Sequence, residues 1–126
     1  MSVSNINKSL NFYLNILLFN LEYERKENKF AFVSLNNSQI MIKEINGRWE
    51  TGTLSYPFGR GINFQIEIEN IDELYQNIKK QDYPIKIEIQ ENWYRVNNKL
   101  TGQKEFLVMD PDGYLLRFAK DLGERK

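Results

Sequence analysis

The chain contains no histidine and no cysteine. Without histidine, the commonest general base and the commonest transition-metal ligand are both missing. Without cysteine there is no disulfide framework and no thiolate nucleophile. Together the two absences leave almost nothing from which to build a tight zinc, iron, nickel or copper site. Excess charge is absent too: 17 Lys and Arg balance 17 Asp and Glu, and no basic run stands out, so the footprint of a nucleic-acid partner is missing. No apolar run is long enough to span a bilayer. The opening Met1-Ser-Val-Ser-Asn5 lacks the basic and apolar regions of a signal peptide. These absences lead us to expect a soluble cytoplasmic protein without a nucleic-acid or membrane partner.

What is present is enough for a packed core. Hydrophobic residues make up 41% and aromatics 13% of the 126 residues, which argues against disorder and for one domain, or two half-size modules sharing a core. The informative stretch is Phe106 to Phe118. An apolar run, Phe106 to Met109, leads into Asp110-Pro-Asp-Gly113, and a second apolar run follows with a single charge, Arg117. Proline presets one dihedral, aspartate folds onto its own backbone and glycine takes a positive φ, so the pattern predicts strand, tight turn, strand.

The chain carries this pattern twice. With Phe32 set on Phe106 and no gap, Leu35 falls on Met109, Asn36 to Gln39 fall on the Asp110–Gly113 turn, and Lys43 falls on Arg117. A cation occupies the same place in both copies, which predicts a duplicated unit of about half the chain. The helical spacing of Ile6, Leu10, Tyr13, Leu14 and Leu17, with Asn5 as N-cap, opens unit one. Strands are predicted over 20–27, 29–35 and 39–45, with turns at Asn28-Lys29 and Asn36-Asn37. Unit two opens with alternating Ile62, Phe64, Ile66 and Ile68 against Asn63, Gln65, Glu67 and Glu69. Asn70 with Glu73 reads as a capping box, and Ile71, Leu74, Tyr75 and Ile78 as a helical stripe ending before Pro84. A strand with Ile85, Ile87 and Ile89 follows, then a polar loop over 90–103. The expected fold is α+β: two tandem βαβββ units (about 1–46 and 61–120, joined by 47–60) in a single domain, 1–126, with a curved mixed sheet around a cavity. Four residues precede Asn5 where a full strand precedes Asn70, so the first strand is expected to be truncated.

The order of elements, Ser9-Leu-Asn-Phe-Tyr13 on the first helix, and Asp110-Pro-Asp-Gly113 followed by Leu115-Leu-Arg-Phe118 resemble the glyoxalase / bleomycin-resistance / dioxygenase (vicinal oxygen chelate) superfamily. The resemblance runs from Val3 to Ala119 and is nearest to bleomycin-resistance-type members, which give antibiotic resistance. In the metal-dependent members, the resemblance implies four inward ligands, two from first strands and two from last strands. Counting seven residues back from the helix cap gives no residue in unit one and Asn63 in unit two, and the last-strand positions are Lys43 and Arg117. An amide and two cations do not suit a dication, which two nearby positive charges repel by several kcal/mol even at an effective dielectric of about 20. No metal and no other cofactor is expected.

Lys43 and Arg117 are candidates for lining a positive cavity, or else are solvent-facing strand charges. Asn63, Gln65 and Glu67 form a polar strand face that fits a cavity wall or plain solvent exposure. Trp49, Tyr56 and Phe58 in the connection, and Trp93 and Tyr94 in the polar loop, are candidate stacking walls or, alternatively, core caps and dimer contacts. Asp110 and Asp112 read as turn residues. Glu67 and Glu88 are the only strand carboxylates considered for acid–base work, and no nucleophile pairs with either. The resemblance implies a metal-free binding protein that sequesters a drug or metabolite in a groove at a homodimer interface. The alternatives are an enzyme of the same superfamily with a metal-independent site, and a dimeric scaffold without a ligand.

Overall fold

The computed structural model describes Met1–Lys126. Two four-stranded mixed sheets each take one unit of the repeat. The first contains β1 (Ser2–Val3), β2 (Asn20–Arg25), β3 (Phe30–Leu35) and β4 (Ser38–Glu44), in the order β1-β4-β3-β2. The second contains β5 (Asn63–Glu67), β6 (Ile87–Val96), β7 (Lys99–Met109) and β8 (Leu115–Arg125), in the equivalent order β5-β8-β7-β6. In each, the first strand runs parallel to the last and the other pairs are antiparallel. The helices are α1 (Ile6–Asn11), which continues as a wider π turn over Phe12–Ile16, and α2 (Ile71–Lys80). No helix is long and apolar enough to cross a membrane.

Local chemistry accounts for most of these limits. The Asn5 side chain accepts the Lys8 N–H at 3.0 Å and starts α1. The π turn leaves backbone carbonyls at its end, and Asn77 of α2 donates to those of Asn15 and Ile16. Ile71, Leu74, Tyr75 and Ile78 form the buried stripe of α2. The expected capping box at Asn70 does not form. Its side chain makes no cap bond, and only its carbonyl takes part, accepting from Leu74 N–H. Both stripes meet strand residues of both units in one buried cluster that includes Phe12, Tyr13, Ile42, Ile66, Phe106 and Phe118.

Two further expectations change. The polar loop over 90–103 is instead a long two-stranded ribbon, with Val96 opposite Lys99 across an Asn97-Asn98 turn. Its outer part buries no apolar face, so no alternation marks it, and the strands are held by their ladder. β8 correspondingly runs on to Arg125, beyond the expected unit boundary. The gapless repeat is also only half right. Lys43 and Arg117 do match, each on the last strand and on the face turned from the core. Lys43, however, lies opposite Phe30, whereas Arg117 lies opposite Leu107. The hairpins differ because Leu35 pairs with Ser38 across two residues, while Met109 pairs with Leu115 across five. β3 and β7 therefore slip by three residues. β1 is short, as expected, and its helix follows sooner: Ser2, beside Lys43, is three residues before Asn5, but Gln65, beside Arg117, is five before Asn70.

The five-residue turn locks the two units together. Asp110 Oδ1 accepts the N–H groups of Asp112 and Tyr114, both at 2.9 Å, and Oδ2 accepts the Tyr13 hydroxyl at 2.8 Å. Asp112 accepts Ser4 N–H at 3.0 Å and Ser4 Oγ–H at 2.6 Å. Gly113 has φ +86° and lies against Pro57, where an added Cβ would sit 2.4 Å from the proline Cβ. Both carboxylates are buried. Burial pushes the Asp110 carboxyl above its ordinary value, helped by the Asp112 charge and opposed by the three donors. The folded carboxyl thus holds its proton more tightly than the unfolded one. Its contribution to stability is fully present below the unfolded value of ~3.9 and is lost as pH rises through the folded value. Asp110→Ala, which orphans three donors, is expected to lose ~3 kcal/mol in urea unfolding at pH 7. Asp110→Asn keeps the acceptor without the charge. Its stability relative to the parent chain should be highest at neutral pH and should fall as pH is lowered towards 3.

Candidate functional site

Strand alternation gives each sheet an open face opposite the core. In the second sheet, Ile66, Phe106, Leu116 and Phe118 point into the core, so Gln65, Glu105, Leu107 and Arg117 occupy the other side. The ribbon adds Asn92 and Tyr94. Glu105 is the centre of this face. It is 3% exposed, and its Oε1 accepts the Tyr94 hydroxyl at 2.5 Å and Asn92 Nδ2–H at 3.1 Å. Its Oε2 is buried without a partner, and so is Nε of Arg117. Tyr94 titrates above the ordinary tyrosine value, chiefly through its bond to Glu105 and with help from burial and the carboxylate charge. The Arg117 charge pulls the other way.

The open face of the first sheet has the opposite character. Tyr23 stacks on Phe32 with centroids 5.3 Å apart and planes 6° from parallel. Arg25 lies over Phe30 at 4.2 Å, and Trp49 meets Phe30 edge-on at 6.2 Å. Tyr23, Met41 and Trp49 are each about half exposed, at 49%, 49% and 50%. Lys43 shares this face, and its Nζ donates to the Asn28 carbonyl. Between the two units runs a groove. One part, about 430 Å³, lies between Met1 and Gln39–Met41 on one side and Phe64–Ile66 on the other. A more polar part, about 500 Å³, is bounded by Asn36, Asn37, Ser38, Gln65 and Glu67.

The sequence candidates therefore separate. Gln65 and Glu67 line the groove, and Gln65 also stands beside Arg117. Asn63 lies beside Leu115, one strand-repeat away from Arg117. Trp49 and Lys43 belong to the aromatic face. Tyr56 and Phe58 flank the Asp110 turn, with Tyr56 beside Tyr83 and Phe58 edge-on to Tyr114 at 6.1 Å. Trp93 and Tyr94 are on strand β6, not in a loop, and alternate in direction. Tyr94 reaches Glu105, while the Trp93 ring covers Gly102 under Arg125, whose guanidinium sits 4.0 Å from the ring. Glu88 is occupied on the helix side by Tyr75 and Lys79.

Sequence reading missed Glu105, Asn92 and the aromatics Tyr23, Phe30 and Phe32. Glu105 had one signal: the alternation Glu105, Leu107, Met109 against Phe106 and Val108 places it on the Arg117 side once the strand is extended backwards. The metal-ligand positions of the metal-dependent relatives do not fit a dication here. The expected first-strand position, Asn63, is an amide beside Leu115, Lys43 and Arg117 have Ser2 and Gln65 beside them, and nowhere do three or more Asp or Glu side chains gather to hold a metal.

Residues 1–118 match the family model described as Glyoxalase/Bleomycin resistance protein/Dioxygenase superfamily. The chain is 30% identical to the bleomycin resistance protein of Geobacillus stearothermophilus over 135 aligned positions, covering 95% of this chain and 92% of that protein. The bleomycin resistance protein of Staphylococcus aureus matches to the same extent, with 30% identity over 95% of this chain and 92% of the relative. The fold resembles TioX from Micromonospora sp. ML1, with a TM-score of 0.74 and 13% identity over 97% of this chain and 94% of the other. It also resembles a glyoxalase/bleomycin resistance protein/dioxygenase from Alicyclobacillus acidocaldarius, with a TM-score of 0.67 and 19% identity over 97% and 87% of the two chains. Fold, duplicated unit and sequence agree: the chain belongs to the glyoxalase/bleomycin resistance protein/dioxygenase superfamily.

Proposed function

We propose that this chain binds a small drug or metabolite and sequesters it unaltered, as a metal-free homodimer in which an open face of each subunit walls a groove. The observation that carries this reading is the opposite chemistry of the two open faces. One offers exposed, stacked aromatics, the other a polar cluster around a buried carboxylate. A groove with an aromatic wall and a polar wall suits a planar molecule with hydrogen-bonding edges. An exposed aromatic face also favours a second copy as its cover. The relatives named as bleomycin resistance proteins support a sequestering role. The catalytic alternative draws on one feature, the free oxygen of Glu105.

Light scattering at micromolar concentration is expected to give twice the 15.1 kDa chain mass. A monomer would overturn the dimeric groove, and Tyr23→Lys should weaken association. A thermal-shift screen of planar aromatic antibiotics and metabolites should find a ligand that stabilises the protein by ~3 kcal/mol at a hundredfold excess over its dissociation constant. Absence of any stabilising compound would count against the binding role. Chelator-treated protein should bind that ligand equally well, and elemental analysis should find no stoichiometric metal. Mass spectrometry should recover the ligand unchanged, whereas a product would establish the enzymatic alternative.

A further inference from the structure

We infer that Glu105 and Arg117 form a paired acceptor and donor that selects a neutral, amide-like edge on the ligand: an N–H beside a carbonyl or ring-nitrogen acceptor. The inference rests on the ligand-binding reading above and specifies the chemistry of that site. Three observations carry it. First, Glu105 Oε2 and Arg117 Nε are both buried and both without a partner. Buried polar atoms are seldom left so, because each has given up its water. Second, the two side chains are neighbours. Glu105 lies opposite Ala119 and Arg117 opposite Leu107, which makes them diagonal residues on adjacent strands and on one face. Such diagonals are roughly 7–8 Å apart, so long side chains on them come close enough for one small group to meet both. Tyr94 feels both charges, upward from Glu105 and downward from Arg117. Third, they do not pair with each other, as neither takes part in any ion pair of the structure. Tyr94 and Asn92 instead hold the carboxylate by Oε1 and leave Oε2 free.

A ligand anion could satisfy Arg117, but it would meet Glu105. A cation could satisfy Glu105, but it would meet Arg117. A carboxamide, or a ring that presents the same donor–acceptor edge, satisfies both atoms and adds no net charge. The expectation of a positive cavity built by Lys43 and Arg117 changes accordingly. Lys43 gives its amine to Asn28, and Arg117 has a buried carboxylate beside it.

The test uses three probes of one shape: 2-naphthamide, 2-naphthoate and 2-naphthamidine. Calorimetry on the full chain should show the amide bound about tenfold tighter than either charged probe. Glu105→Gln should raise the naphthoate-to-naphthamide affinity ratio by about tenfold, and Arg117→Met should do the same for naphthamidine. Each ratio is measured within one variant, so it does not depend on the fraction of protein folded. A charged probe that binds tightest to the parent chain would overturn the inference. So would ratios that stay fixed in both variants, and so would the failure of all three probes to bind at millimolar concentration. In each of those cases the binding role itself would still stand or fall by the separate antibiotic and metabolite screen.

Discussion

A buried carboxylate with three donors holds this molecule in one arrangement. Asp110 takes two N–H groups of its own turn and the Tyr13 hydroxyl of the first unit. The turn is thereby both closed and attached to the opposite half of the chain. Asp112 repeats the link through Ser4, and Tyr114 adds a third by donating to the Ser2 carbonyl at 2.8 Å. Burying charge is costly unless every acceptor site is used, so these bonds act together or not at all. They attach the short β1 and the residue after it to the turn of the second unit. The open faces on either side inherit their positions from this lock.

The same physics with a different outcome operates on the open face of the second sheet. Glu105 is as buried as Asp110, but only one of its oxygens is used. Where Asp110 is satisfied within the chain and serves stability, Glu105 keeps capacity for something outside it. The distinction between a structural and a recognising carboxylate here is a count of donors, not a difference in residue type or depth.

Much of the architecture was legible. Ile71, Leu74, Tyr75 and Ile78 announce α2 because that helix buries a single stripe. Ile66, with Ile68 just past the strand's end, announces β5 because that end of its face meets the core, while Phe64 and Ile62 before it stay exposed. The Asp110–Gly113 turn was legible because each residue has a specific backbone role there. The outer β6–β7 ribbon was not, since residues such as Arg95, Asn97 and Lys99 face no core on either side and the ladder alone orders them. Hiding the ribbon also hid Glu105, which lies on β7 just ahead of the run that marked the strand. The aromatic face was hidden for another reason. Phe30 and Phe32 look like ordinary core residues, and only pairing reveals which face each occupies. The capping box at Asn70 failed because a matching residue pattern does not guarantee the backbone angle that lets the side chain reach back.

The three-residue slip between the hairpins carries its own consequence. Side chains alternate along a strand, so an odd slip in pairing register moves every residue of the slipped strand to the opposite face. Phe32 and Phe106, which coincide in the repeated sequence, end on opposite sides for this reason. Phe106 is fully buried, and Phe32 stacks under Tyr23 on the open face. In a duplicated protein, a three-residue slip at one hairpin, with no residue added or removed, can thus turn a stretch of core into a recognition surface, or the reverse, before any side chain is substituted. Two halves descended from one unit can acquire unlike walls through a change of register alone, with the last strands and their cations left in place.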